Sequence, residues 1–104
     1  MSRLYNVLNE MRKKTVYRKR FSFSPPSFSA GTPGTYASLD STNIAVSGYT
    51  PIMAVVGNNP NPGAVLAGAS FSGSTGYIYY YRATASAFSG SNNFAIDVLY
   101  VPSA

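Results

Sequence analysis

The sequence predicts a mainly β protein: a single antiparallel β-sandwich of jelly-roll type, preceded by a short helix and an extended basic arm. Beyond residue 35, short runs rich in Val, Ile, Tyr and Ala alternate with clusters of Gly, Ser, Asn and Pro, without an intervening helical pattern. Before that point the composition differs, because seven of the eight Lys and Arg residues lie in the first twenty positions. The predicted segments are therefore 1–20, 21–34 and 35–104.

The first segment is expected to begin as a short helix over residues 2–15. Leu4, Leu8 and Met11 recur at the spacing of one helical face, which is also the spacing of a coiled-coil seam. Two heptads are too short to be stable alone, so this helix needs self-association or a docking surface. A helix that lies on its own domain is the alternative.

A basic run over residues 12–20 completes the predicted attachment segment. Its cations are Arg12, Lys13, Lys14, Arg18, Lys19 and Arg20. Clustered cations attract acidic protein surfaces, and they also neutralise phosphates in salt-dependent nucleic-acid binding. A solvated arm that only aids solubility is a third interpretation. We favour anchoring on an acidic protein surface over nucleic acid, because nothing in the sheet region resembles a nucleic-acid platform: Arg82 is the one cation beside the tyrosines that could stack bases.

The second segment, residues 21–34, is predicted to be an extended linker. It alternates Phe with Ser and then reaches Pro25 and Pro26, which exclude a continuing helix. We expect Phe21, Phe23 and Phe28 to insert into grooves of neighbouring subunits.

The third segment, residues 35–104, is predicted to form the sheet domain. The expected strands are 35–40, 43–48, 51–57, 64–72, 76–85 and 93–101, separated by turn clusters such as 40–43 and 57–63. The last strand is apolar on both faces, which is typical of a central strand. In the strand before it, Tyr77, Tyr79 and Tyr81 share one face, opposite Ile78 and Tyr80.

Composition argues for an assembled structural protein rather than an enzyme. Charged residues make up 11% of the chain, against about 25% in ordinary globular proteins. A thin sheet domain with so little charge favours a homo-oligomer, because association buries a second apolar face. The chain has no Cys, no His and only three acidic residues, so we predict no catalytic, cofactor-binding or metal-binding residue. Arg82 is expected to pair with Asp97, with Asp40, or across a subunit interface.

No long apolar run suggests a signal peptide or a membrane span, so no membrane insertion is expected.

The stretch 48–101 resembles the small β-sandwich domains of bacteriophage fibre, tail-tip and head-fibre proteins. It runs GYTPIMAVVGNN, then a Gly/Ser-rich hairpin, then GYIYYYRATAS and NNFAIDVLYV. The resemblance implies a homotrimer within the virion, made in the host cytoplasm, with an N-terminal segment bound to other virion proteins. It implies fold and trimer-core roles for Gly48, Tyr49, Pro51, Ile52, Tyr81, Arg82, Leu99, Tyr100 and Val101. The chain departs from long fibres in lacking a shaft or repeats, which favours a short spike or a decoration protein.

In such proteins the tip of the domain contacts the host surface, often its glycans. Two groups of residues are candidate receptor contacts here: Asn58, Asn59 and Asn61 in a rigid Pro-containing loop, and Tyr77, Tyr79 and Tyr80 as a sugar-stacking patch. A bland turn and tyrosines that pack between subunits are the alternatives for these two groups. A decoration protein without receptor binding and a nucleic-acid-binding module remain alternatives for the whole chain.

Overall fold

The computed structural model describes residues 17–24, 27–90 and 93–103, and this part of the chain is mainly β. The strands are β1 (Tyr17–Phe23), β2 (Ser27–Phe28), β3 (Tyr36–Asn43), β4 (Tyr49–Asn58), β5 (Val65–Ser72), β6 (Thr75–Arg82), β7 (Phe88–Ser89) and β8 (Phe94–Pro102). The predicted β class is confirmed. The helix predicted over residues 2–15 lies outside the described residues.

Two three-stranded antiparallel sheets form the body of the fold. The strand order is β1-β8-β4 in the first sheet and β3-β6-β5 in the second, and a short β2-β7 pair lies beside them. We call these the β8 sheet and the β6 sheet, after their central strands. The central position predicted for the last strand is confirmed. The architecture is consistent with the predicted sandwich.

The core forms where the inner side chains of β8 meet those of β6. Its buried members are Phe23, Ile44, Val65, Ile78, Tyr80, Phe94, Ile96, Val98 and Tyr100. Alternation along β8 explains this, because every second side chain from Phe94 points to the same face of the sheet. The ring of Tyr80 packs edge-on against Phe94, with the centroids 5.1 Å apart.

Gly76 allows the two sheets to approach closely. A Cβ atom at this position would lie 2.7 Å from Cγ2 of Ile44 and 3.0 Å from Cδ1 of Ile96. A larger residue would therefore force the layers apart. The buried hydroxyl of Tyr100 donates a hydrogen bond to the Ile44 carbonyl, which satisfies both polar groups inside this layer.

The sheet domain begins earlier than predicted, which corrects the boundaries at residues 20 and 35. Residues 17–23 are strand β1 and pair with β8 from Tyr17–Tyr100 to Phe23–Phe94. The expected insertion of phenylalanines into neighbouring subunits is not what the structure shows. Phe23 is in the chain's own core, Phe21 packs against it, and the Phe28 ring stacks on Phe88 at 5.3 Å.

The separate strand predicted over residues 43–48 is also wrong. Strand β3 continues through the predicted turn at 40–43, because these residues pair with β6 as far as Asn43–Thr75. The chain turns instead over residues 44–48, where Tyr49 N donates to the Val46 carbonyl at 3.0 Å. Gly48 adopts a φ of 83°, a left-handed conformation that favours glycine in such a turn.

Candidate functional site

The described part of the predicted attachment segment lies in strand β1, where Arg20 bridges three strands. Its Nε donates to Asp97 Oδ1 at 2.8 Å, and its Nη2 donates to Oδ2 at 3.1 Å. The same Nη2 donates to the Gly57 carbonyl at 2.9 Å. Since Asp97 is in β8 and Gly57 is in β4, one guanidinium connects every strand of the β8 sheet on its outer face. Two-point contact of this kind is the strongest form of Arg–carboxylate pairing.

Asp97 is held in a buried ionised state. It is 6% exposed, and a Cβ atom at Gly57 would come within 2.6 Å of its Oδ1, so only glycine leaves room for the carboxylate. The hydrogen bond from Arg20 lowers the pKa of Asp97; burial opposes this, and the charges of Arg20 and Arg18 add to it. Arg18 makes only a longer ionic contact with Asp97, with its Nη1 3.9 Å from Asp97 Oδ2.

These contacts give the predicted anchoring residues different roles. Arg20 has a structural role within the chain, which corrects its assignment to an arm that projects from the domain. Arg18 and Lys19 remain exposed, and the Lys19 ammonium lies over the Phe21 ring at 5.3 Å. The other predicted anchoring residues lie outside the described part of the chain: Leu4, Leu8, Met11, Arg12, Lys13 and Lys14.

The predicted tyrosine face exists on the outer side of the β6 sheet. Tyr77 and Tyr79 are partly exposed and stacked, with their ring centroids 6.2 Å apart. The Tyr79 hydroxyl accepts a hydrogen bond from Ser70 Oγ at 3.2 Å. Tyr80 is wrong as a receptor contact, because its side chain points into the core and is fully buried.

Side-chain amides of Asn58 and Asn59 hold the asparagine loop, residues 58–61, in place through hydrogen bonds. Asn58 Nδ2 donates to the Asn93 carbonyl at 2.8 Å, and Asn59 Nδ2 donates to the Val65 carbonyl at 2.9 Å. Asn59 Oδ1 accepts from the backbone of Asn61 at 3.0 Å. Asn58 and Asn59 therefore have structural partners, whereas the side chain of Asn61 is exposed to solvent.

Arg82 does not pair with either aspartate. Its Nη1 donates to the Tyr36 carbonyl at 2.8 Å and to Thr35 Oγ1 at 3.1 Å, and its Nε donates to the Ser29 carbonyl at 3.1 Å. Its guanidinium also lies over the Phe28 ring at 5.6 Å. The expected ion pair with Asp97 or Asp40 is wrong, because this cation secures the 29–36 connection to β6 through two backbone carbonyls and the Thr35 hydroxyl.

Both sheets leave large apolar side chains exposed. On β4, Ile52, Met53 and Val55 are 48%, 50% and 42% exposed. On the β6 sheet, Leu39 and Leu66 are 40% and 50% exposed, near the tyrosines. Exposed apolar side chains that are grouped on one strand or sheet are typical of contact sites in soluble proteins.

A polar cleft lies between β1 and β3, and no local sequence pattern predicts it. Its lining comes from residues 22–24 and 40–42. The sequence predicts a linker for the first stretch and a turn for the second, so nothing in the pattern brings the two together. The Asp40 carboxylate in this cleft accepts a hydrogen bond from the buried Tyr80 hydroxyl at 2.8 Å.

The described residues contain no group of three or more His, Cys, Asp or Glu side chains placed to hold a metal ion. Nor does this part of the chain include a helix with the length and apolar character needed to cross a membrane. Comparisons with protein-family models, curated proteins and solved structures found no match.

Proposed function

We propose that this chain is a bacteriophage virion structural protein. It forms a short trimeric fibre, spike or decoration on the particle, and its basic N-terminal segment binds other virion proteins. The sandwich domain, with jelly-roll-like connections, projects outward and contacts the host surface.

The observation that carries this proposal is the exposed apolar surface on a domain with almost no charge. Ile52, Met53 and Val55 lie on one sheet, and Leu39 and Leu66 on the other. Surfaces without charge are poorly protected against association, so a protein that keeps such faces is suited to an assembly that covers them. The resemblance to phage fibre domains supplies the kind of assembly.

The proposed attachment role rests on the cations that do not take part in the Arg20–Asp97 pair. Asp97 engages Arg20 and, more weakly, Arg18. Lys19 lies on the sheet surface, and the sequence places Arg12, Lys13 and Lys14 immediately before β1. These cations suit an acidic surface on another virion protein.

Light scattering on the full chain tests the assembly. A trimer has three times the 11.1 kDa chain mass. Met53→Glu should lower the measured mass, because it places a charge among the exposed apolar side chains of β4 and opposite Leu99. Ser47→Glu, at an exposed turn, is the control. A monomeric full-length chain contradicts the proposal.

Particle incorporation tests the anchor. Particles assembled with a chain lacking residues 1–16 should lose the protein on gradient purification. A chain with Arg12, Lys13 and Lys14 changed to Ala separates the role of charge from that of the apolar residues. Normal incorporation of the truncated chain contradicts anchoring by this segment.

Two alternative functions are each supported by a specific observation. A decoration protein without receptor binding uses the same apolar faces only to stabilise its neighbours, and it predicts that no host-surface component binds the domain. A nucleic-acid-binding module would use the cations of residues 12–20 and would bind DNA or RNA with an affinity that falls steeply as salt rises. Weak binding that does not depend on salt excludes that module.

A further inference from the structure

The sandwich is closed along one side and open along the other. Strand β4 lies against β5, so these two edges cover each other. At the opposite edges, β1 pairs with β8 and β3 pairs with β6, and within the described residues neither has a second partner. A cleft of about 270 Å³ lies at this open side. It is lined by Ser22, Phe23, Ser24, Asp40, Ser41 and Thr42.

The carboxylate in this cleft is oriented from inside the protein. Tyr80 is fully buried, and its ring is fixed against Phe94. Its hydroxyl donates to Asp40 Oδ2 at 2.8 Å. A side chain held by a packed partner loses little freedom when a ligand binds, which is the general requirement of a preorganised site.

The charge of the cleft selects the kind of ligand. In the described part of the chain Asp97 is salt-bridged to Arg20, whereas no such cation pairs with Asp40. A carboxylate that lines a cleft repels anions and accepts hydrogen bonds from hydroxyl or amine donors. The cleft lacks the further carboxylates that a hard metal ion prefers.

The rest of the lining favours a neutral polyol. Thr42 lies on the same side of β3 as Asp40, and its hydroxyl can donate and accept. The edges of β1 and β3 that line the cleft add backbone groups that have no second strand partner within the described residues. A sugar ring carries hydroxyls on every edge, and it can therefore bond to the carboxylate, to Thr42 and to these backbone groups at once. The volume is slightly below the about 300–1,000 Å³ of common ligand pockets, which suits a single small unit.

We propose that this cleft binds one neutral saccharide unit, with Asp40 as the central hydrogen-bond acceptor and with Thr42 and the edge backbones of β1 and β3 beside it. The inference deepens the proposed function and rests on it for its biological setting. It moves the glycan contact from the tyrosine face to the open side of the sandwich.

Titration of the full chain, followed by amide NMR shifts, tests this. The probes are methyl glycosides of glucose, galactose, mannose and N-acetylglucosamine, each taken to about 50 mM because small ligands bind weakly. At least one glycoside should shift residues 22–24 and 40–42 in a saturable way. Asp40→Asn should weaken that binding by about tenfold or more. The amide oxygen of this variant can still accept from Tyr80, so the fold is kept.

Two further variants make the result decisive. Ser24→Tyr adds a bulky ring to the lining of the cleft while Asp40 and Tyr80 themselves are unchanged, and it should abolish the shifts. Tyr79→Ala removes a ring from the outer face of the β6 sheet, opposite the face to which Asp40 points, and should leave them unchanged. The proposal is overturned if no glycoside shifts the cleft residues or if the shifts fall on Tyr77 and Tyr79. These outcomes are independent of particle incorporation, so failure of the site and failure of the anchor are distinguishable.

Discussion

Arg20 and Asp97 face each other across β1 and β8 in direct register, and their side chains form a two-point ion pair with atoms 2.8 and 3.1 Å apart. The pair is supported by the Gly57 carbonyl on the third strand. Strand β1 therefore joins the sheet both through this pair and through the core contacts of Phe23. The pair thus converts part of a basic segment into a structural element of the domain.

Asp97→Asn should lower the free energy of unfolding by about 1–2 kcal/mol, because the charged hydrogen bonds from Arg20 are lost while the amide stays buried. Urea denaturation of purified chains measures the change. Arg18→Ala is the matched control and should have a smaller effect, since that guanidinium is 68% exposed and 3.9 Å away. Equal effects of the two variants would show that general charge, not the Arg20 pair, stabilises the sheet.

Acid should weaken the domain through Asp97. Its pKa is lowered in the folded state, chiefly by the Arg20 hydrogen bond. The contribution is therefore present above the ordinary aspartate pKa of about 3.9, and it is lost as pH falls through the lower folded pKa. Thermal melts from pH 6 downward should show a melting temperature that falls as the pH falls. Asp97→Asn should make the melting temperature depend less on pH. An unchanged slope in the variant contradicts the assignment to Asp97.

Alkali should weaken the domain through Tyr80. Burial raises the pKa of Tyr80, and its bond to Asp40 adds to this. The stability is complete below the ordinary tyrosine pKa of about 10 and declines as pH rises above it, because only the unfolded chain ionises readily there. Tyr80→Phe should cost about 1 kcal/mol at neutral pH and reduce the alkaline decline. Tyr77→Phe, on the partly exposed face, should change neither quantity; a decline that persists unchanged in Tyr80→Phe would assign it to another group.

Sequence patterns predict the centre of the sheet domain well and its edges poorly. Alternation along residues 94–102 and 75–82 is strong, and it predicts a strand at both places, although a central position is predicted only for the last strand. The sequence does not predict strand β1, because its charged residues obscure the alternation of the strand. In that alternation Tyr17 and Phe23 lie on the inner face and Arg20 lies on the outer face. The Asp97 pairing and the cleft depend on which strands become neighbours, which local patterns do not specify. The Arg82 contacts depend on backbone carbonyls, which carry no sequence signal.

Gly76→Ala should destabilise the domain by about 1–3 kcal/mol, because the added Cβ overlaps Ile44 and Ile96 between the sheets. Gly63→Ala is the matched control: it lies in a loop, its φ is not positive, and no atom lies within 4 Å of the point that an added Cβ would occupy. Denaturant midpoints compare the two. A tolerated alanine at position 76 would mean that the layers are not in close contact there.

Two truncations should separate the attachment segment from the fold. A chain that begins at Tyr17 retains all of β1 and should unfold cooperatively at a temperature near that of the full chain. A chain that begins at Phe21 loses the Arg20–Asp97 pair. It also loses the Tyr17 ring, whose centroid lies 5.2 Å from that of Tyr49 and 5.7 Å from that of Tyr100. It should be strongly destabilised, because Asp97 is left buried without its cation. Circular dichroism melts measure both chains, and equal stability would show that β1 contributes little to the domain.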